Sequence, residues 1–110
     1  MVELREYFQK DESSPFRKWS DRLNSDAARR VTSALYRLGL GNYSNVKSVG
    51  GGVLELKIDF GPGYRVYFGK DGERIVILLG GGTKQRQQKD IEFALERWQD
   101  YRSRRKREGN

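Results

Sequence analysis

The feature that most constrains the fold is an unbroken apolar run, Ile75-Val76-Ile77-Leu78-Leu79. An alternating strand buries one face, whereas a strand that is apolar at every position needs cover on both. The run therefore predicts a central strand. Alternation on its N-terminal side supplies strands to pair with it. Residues 53–59 place Leu54, Leu56 and Ile58 on one side and Val53, Glu55, Lys57 and Asp59 on the other. Residues 64–68 place Tyr64, Val66 and Phe68 opposite Arg65 and Tyr67. Gly61-Pro62-Gly63 and Lys70-Asp71-Gly72 are the hairpin turns between these strands, because Pro fixes φ and Gly permits positive φ. A short strand at residues 46–49 completes a β-meander.

Before residue 46 the apolar period is 3.6 rather than 2. Residues 2–8 alternate loosely and suit a first strand. Ser14 and Pro15 mark a helix start, with Ser14 as N-cap and Pro15 at the first helical position. Phe16, Trp19 and Leu23 then share one helical face. Asn24-Ser25-Asp26 restarts a helix, with Ser25 as the expected cap and Asp26 at the positive end of the dipole. Val31, Leu35 and Leu38 form its buried stripe, and Gly39 is expected to close it. After the central strand, Gly80-Gly81-Gly82 is expected to release the chain into a long last helix capped by Thr83. That helix buries Ile91, Ala94 or Leu95, Trp98 and Tyr101. The order of elements predicts an α+β domain: an N-terminal strand and helical hairpin, an antiparallel meander and a C-terminal helix. Residues 1–101 form that single domain, and residues 102–110 are expected to be a basic, flexible tail.

Composition excludes several chemistries. The chain has 110 residues and no histidine or cysteine. Zinc sites built on Cys and His, Ser-His-Asp or Cys-His triads, disulfides and CxxC redox sites are therefore all absent. No metal or cofactor is expected. Any proton transfer falls to Asp, Glu, Lys, Tyr, a terminus, water or the substrate. Only 35% of residues are hydrophobic, yet Leu, Ile, Val and Phe exceed the roughly 20% floor of disordered chains. No apolar run approaches the roughly 20 residues that cross a membrane. The first residues lack a signal-peptide layout, so a cytoplasmic protein without a membrane partner is expected. The net charge is +7. More than half of it lies in the tail, with Arg102, Arg104, Arg105, Lys106 and Arg107 against Glu108. Such a tail fits a solvated terminus and also a non-specific contact with phosphate backbone.

Two clusters could carry chemistry. By strand parity, Glu55, Lys57, Arg65 and Tyr67 point the same way from neighbouring strands. The solvated face of an antiparallel sheet carries charge in any case. The same group also suits an anionic ligand: Arg forks onto phosphate, Lys adds a point charge, and Tyr stacks on a base or moves a proton. The second cluster, Lys84-Gln85-Arg86-Gln87-Gln88-Lys89, opens the last helix with three bases, where the dipole favours acids. Exposed Lys and Arg are common, but the arrangement also suits an anion held at the helix start. The triple glycines match no nucleotide-binding fingerprint, and Trp19 and Trp98 fall on core stripes.

The runs Gly63-Tyr64-Arg65-Val66-Tyr67-Phe68 and Ile77-Leu78-Leu79-Gly80-Gly81-Gly82-Thr83-Lys84, followed by Asp90-Ile91 and Trp98, resemble toxins of the RelE/ParE superfamily from bacterial type II toxin–antitoxin systems. They resemble most the phage-derived addiction module killer proteins. The resemblance implies the RelE-like toxin fold and metal-independent cleavage of mRNA on the ribosome, with attack by the 2′-hydroxyl. It implies catalytic roles for Arg65, for Lys84 or Arg86 and, more loosely, for Lys57. Arg86, Tyr67 and Lys89 would bind RNA, and Lys57 is the candidate acceptor for the 2′-hydroxyl proton. Many RelE-like members place a Tyr or His near the chain end, where this sequence reads Gln87-Gln88-Lys89-Asp90. The resemblance also implies a cognate helix-turn-helix antitoxin. ParE-like inhibition of DNA gyrase without chemistry, and a non-toxic RNA-binding module, are the alternatives.

Overall fold

The apolar run lies in β5 (Ile75–Thr83), the second strand of a five-stranded sheet. The structure, a computed structural model, describes residues 1–109. The strand order is β1-β5-β4-β3-β2, with β1 Glu3–Glu6, β2 Val46–Gly50, β3 Val53–Ile58 and β4 Tyr64–Asp71. From β1 the chain crosses to the far edge through α1 (Pro15–Ser20) and α2 (Ser25–Gly39). Three antiparallel pairings then bring it back to β5, which lies beside β1. The β1–β5 pair is parallel. The expected meander is antiparallel throughout, whereas local alternation carries no information about the partner of an edge strand such as β1. The last helix, α3, spans Gln87–Glu108.

The sheet is covered on both faces. On one, Phe16, Ala27, Val31, Ala34 and Leu38 from the helical hairpin pack on Leu56, Ile58, Val66, Phe68, Val76 and Leu78, with Trp19 alongside. On the other, α3 brings Ala94 and Trp98 onto Tyr7, Val53, Tyr67, Ile77 and Leu79. This second core replaces the solvated face expected for Glu55, Arg65 and Tyr67. Parity placed those side chains correctly, since Glu55 pairs with Tyr67 and Lys57 with Arg65. A helix distant in sequence covers them, and strand alternation cannot foresee it.

Helix ends follow capping chemistry, with some shifts. Ser14 Oγ accepts from Arg17 N at 3.1 Å, and Pro15 opens α1, as expected. Asn24, not Ser25, caps α2 through Oδ1, which accepts from Ala27 N at 2.9 Å. The two residue types cap about equally well, so sequence does not choose between neighbours. Gly39 stays helical, and the left-handed position falls to Gly41 at φ 94°. Thr83 makes no capping bond, because a 3₁₀ turn, Lys84–Arg86, intervenes before α3.

The expected tail differs too. The helix continues beyond Tyr101 to Glu108, while Asn110, the last residue of the 102–110 segment, lies outside the described residues. Contacts back to the sheet and to the loop after β1 account for the extension. Tyr7 donates to Asp100 Oδ2 and Tyr101 to Asp71 Oδ2, each at 2.6 Å. Arg105 Nε reaches Asp71 at 2.9 Å, and Arg104 Nη1 reaches the Phe8 carbonyl at 2.8 Å. Hydrogen bonds from Tyr101 and then Arg105 hold the Asp71 carboxyl below its usual range, and Tyr7 and Arg104 do the same for Asp100. Burial, followed by these same bonds, pushes the phenols of Tyr7 and Tyr101 up to about 12.

Two outcomes follow. Gly69 lies under Trp98, and a Cβ there would meet the indole ring at 2.5 Å. Gly69→Ala is expected to destabilise the fold by about 1–3 kcal/mol through overpacking, measured by urea denaturation. The two aspartates have lowered folded pKa values, so their contribution is complete above the unfolded value of 3.8 and disappears as pH falls through the folded values. Wild type is expected to lose more Tm on acidification through that window than Asp71→Asn.

Candidate functional site

The candidate residues meet where the β3–β4 turn faces the end of β5. The Gly63 carbonyl organises this corner. It accepts Arg65 Nη1 at 3.0 Å and Lys84 N at 2.9 Å. A Cβ on Gly63 would lie 3.2 Å from Arg65 Nη1 and 3.6 Å from Lys84 Cβ, so glycine lets both residues close in. Lys57 stands directly opposite Arg65 on β3, half exposed, with Nζ 3.5 Å from Asp59 Oδ1. Lys84 and Arg86 are exposed on the 3₁₀ turn. Together these residues form a basic corner of three exposed cations above one buried guanidinium.

Two sequence-derived candidates lie elsewhere. Tyr67 is 1% exposed and packs in the core beneath α3, so its ring is not available to stack on a base. Burial, followed by the negative charges of Glu55 and Asp90, pushes its phenol well above the usual range. Lys89 points along α3, with Nζ 5.6 Å from the Phe93 ring centroid.

Beneath the corner lies a polar layer whose full extent sequence reasoning did not find. Arg65 is 5% exposed and Glu55 1% exposed. Glu55 Oε1 lies 3.6 Å from Arg65 Nε and 3.8 Å from Lys47 Nζ. Its Oε2 accepts from Gln87 Nε2 at 2.7 Å, which ties the first turn of α3 to β3. A charge this deeply buried persists only with an opposite partner, and Arg65 is that partner. Asp90 packs on Gly82, where a Cβ would come within 1.9 Å of Oδ2. Arg97 lies against Gly80 and donates to the Leu79 carbonyl at 3.0 Å. On the opposite face, Gly81 makes room for the Trp19 ring. The triple glycine therefore does not end the strand, as expected from sequence. It stays in β5 and admits a helix side chain at each residue. Among the described residues, no group of three or more His, Cys, Asp or Glu is placed to hold a metal ion.

The layer is charged and tightly packed, so its titration matters. Burial raises the Asp90 carboxyl, opposed by the nearby charges of Arg86 and Arg97. Burial also lowers the Arg97 guanidinium. A raised carboxyl makes folding less favourable as pH climbs from the unfolded value of 3.8 through the folded one. Asp90→Asn is therefore expected to raise Tm near neutral pH, with the gain vanishing below that window in a thermal melt series. Glu55→Ala strands the Arg65 charge and is expected to cost about 3–5 kcal/mol, with Glu55→Gln costing less because the bond to Gln87 survives. Chemical denaturation of the two variants checks the order.

Residues 16–99, which include α1 from its second residue, the four meander strands, the basic corner and the polar layer, match the family described as phage derived protein Gp49-like (DUF891). A Haemophilus influenzae relative, described as an uncharacterized protein, is 44% identical over 80 residues, covering 72% of this chain and 81% of that protein. With most of its length matched, and with the glycines that shape the corner inside the matched span, this chain belongs to the phage-derived Gp49-like family.

Proposed function

We propose that this chain is the toxin of a type II toxin–antitoxin system, a RelE/ParE-like protein that arrests bacterial growth by ribosome-dependent, metal-independent cleavage of mRNA. The Gp49-like family is associated with addiction-module toxins, which supports the toxin role. The observation that carries the chemical reading is the shared Gly63 carbonyl, which fixes Arg65 and Lys84 at one corner. In this mechanism the 2′-hydroxyl oxygen attacks the adjacent phosphorus and the bond to the 5′-oxygen breaks. Lys84 and Arg86 reach the phosphate from solvent, and the nearly buried Arg65 supplies fixed positive charge beneath it. Lys57, after its ammonium gives up a proton to water, takes the proton of the 2′-hydroxyl, the leaving 5′-oxygen takes one from the exposed Lys84 ammonium, and Lys89 contacts backbone farther along. Preorganised charge of this kind is worth about 10²- to 10³-fold in rate per donor, and alignment of the RNA by the ribosome adds a separate and large effect.

A basic toxin of this kind is masked by a cognate helix-turn-helix antitoxin, whose acidic segments complement the net charge of +7. Action on ribosome-bound mRNA places the protein in the cytoplasm. No helix among the described residues is long and apolar enough to cross a membrane.

One observation favours a second reading. With no histidine in the chain and Tyr67 buried, proton transfer depends on Lys57 and Lys84. ParE-like inhibition of DNA gyrase needs no proton transfer.

Mapping of transcript 5′ ends in cells expressing the protein tests the nuclease. Lys84→Ala is expected to lose at least 10²-fold of cleavage while keeping its fold, because Lys84 is exposed. Cleavage and growth arrest equal to wild type in both Lys84→Ala and Arg65→Ala would overturn the site. Inhibition of gyrase supercoiling by the pure protein, with transcripts intact, would transfer the assignment to the ParE-like reading.

A further inference from the structure

We propose that the groove along α2, on the far side of the β3–β4 turn from Lys84, is a second subsite for single-stranded RNA, gripping backbone that leaves the catalytic corner. The proposal rests on the nuclease reading and adds to it a binding surface that the catalytic residues do not supply.

The groove lies between α2, the loop at residues 42–45 and β3, and has a volume of about 220 Å³. Arg30, Arg37, Asn42, Asn45, Lys57 and one carboxylate, Asp59, line it over an apolar floor that includes Leu56. A second hollow of about 490 Å³ continues along α2 past Arg30 and Arg37 to Phe60. Lys57 belongs both to the groove and to the corner, since it pairs in register with Arg65. Phe60 sits in the same turn as Gly63, whose carbonyl fixes Arg65 and Lys84. One turn therefore joins the two surfaces.

The charges of the groove are unequally occupied. Arg29 is paired with Asp26, and Lys57 with Asp59 at 3.5 Å. Among the described residues, Arg30 and Arg37 have no carboxylate partner. They stand seven residues apart on α2, two helical turns, so they project on one side with a rise of roughly 10 Å between them. Arg30 lies over the Phe60 ring, 4.7 Å from its centroid, and Phe60 is stacked on Tyr64 at an interplanar angle of 23°. Guanidinium groups free of carboxylates beside an aromatic stack are the two elements that hold single strands: charge tracks the backbone, and the planar Arg30 guanidinium, itself lying on the Phe60 ring, offers a face on which a base can stack. Asn42 and Asn45 add amide groups able to meet base edges or a 2′-hydroxyl. An acidic peptide would use the arginines but not the stacked ring, so the aromatic step favours RNA.

The test is fluorescence anisotropy of a short unstructured RNA oligonucleotide titrated with pure full-length protein over a salt series. Arg30→Ala/Arg37→Ala changes two exposed side chains, and circular dichroism verifies its fold. The double variant is expected to weaken binding about tenfold or more. Its log–log salt slope should flatten by about 1.4, at roughly 0.7 per single-strand phosphate contact. Arg102→Ala/Lys106→Ala on α3 is expected to bind within about twofold of wild type, since exposed charges away from the groove add only diffuse attraction. Wild-type affinity and slope in the Arg30/Arg37 variant would overturn the subsite, as would a wild-type protein that binds no RNA. A variant that loses binding to polyglutamate but keeps RNA affinity would also overturn it, in favour of an acidic protein partner. Transcript mapping in cells is read separately. Intact transcripts with wild type reject the nuclease reading, whereas cleavage with unchanged Arg30/Arg37 binding rejects only the subsite.

Discussion

Burial of β5 on both faces is the constraint on which the rest of the structure depends. A strand with helices above and below must admit side chains from both. Over its apolar half, Val76 and Leu78 face the helical hairpin, and Ile77 and Leu79 face α3. Over its glycine half it supplies no side chains. Trp19 enters from one layer at Gly81, and Arg97 and Asp90 enter from the other at Gly80 and Gly82. Interiors are packed as densely as organic crystals, so these three positions have no room for a Cβ without displacement. One nine-residue strand thus sets the spacing of both layers.

The same close approach creates the electrostatics of the candidate site. Because α3 lies directly on the sheet, Glu55 and Arg65 are withdrawn from water and depend on one another. Gln87 extends that dependence to the start of α3. The guanidinium of Arg65 is thereby held on the Gly63 carbonyl, which also receives the backbone of Lys84. A buried charge held in this way is already oriented before any ligand arrives, which is the condition under which electrostatic stabilisation is largest. The exposed cations around it, Lys57, Lys84 and Arg86, lie at the end of β3 and just beyond β5.

Much of the fold was legible in the residues. The apolar run marked β5, the Ser14-Pro15 pair marked α1, and alternation placed Lys57, Arg65, Glu55 and Tyr67 on one face. Legibility failed where the deciding interaction is distant along the chain. Tyr67 read as a solvated ring because nothing near it announces α3. The triple glycine read as an exit because its partners, Trp19, Asp90 and Arg97, lie on two different helices. Residues 102–108 read as a tail because Asp71 and Phe8, which hold Arg105 and Arg104, are far away in sequence.

The sequence alone determined the type and order of the main elements, the face on which the meander residues lie, and the absence of histidine and cysteine chemistry, because these depend on local period and composition. Only the tertiary structure decided which faces are wet, that β1 joins β5 in parallel, and that Glu55 and Arg65 form a buried pair. Those outcomes depend on how distant elements compete for the same surface. A period of two or 3.6 residues specifies a direction for each side chain but not the layer that comes to cover it.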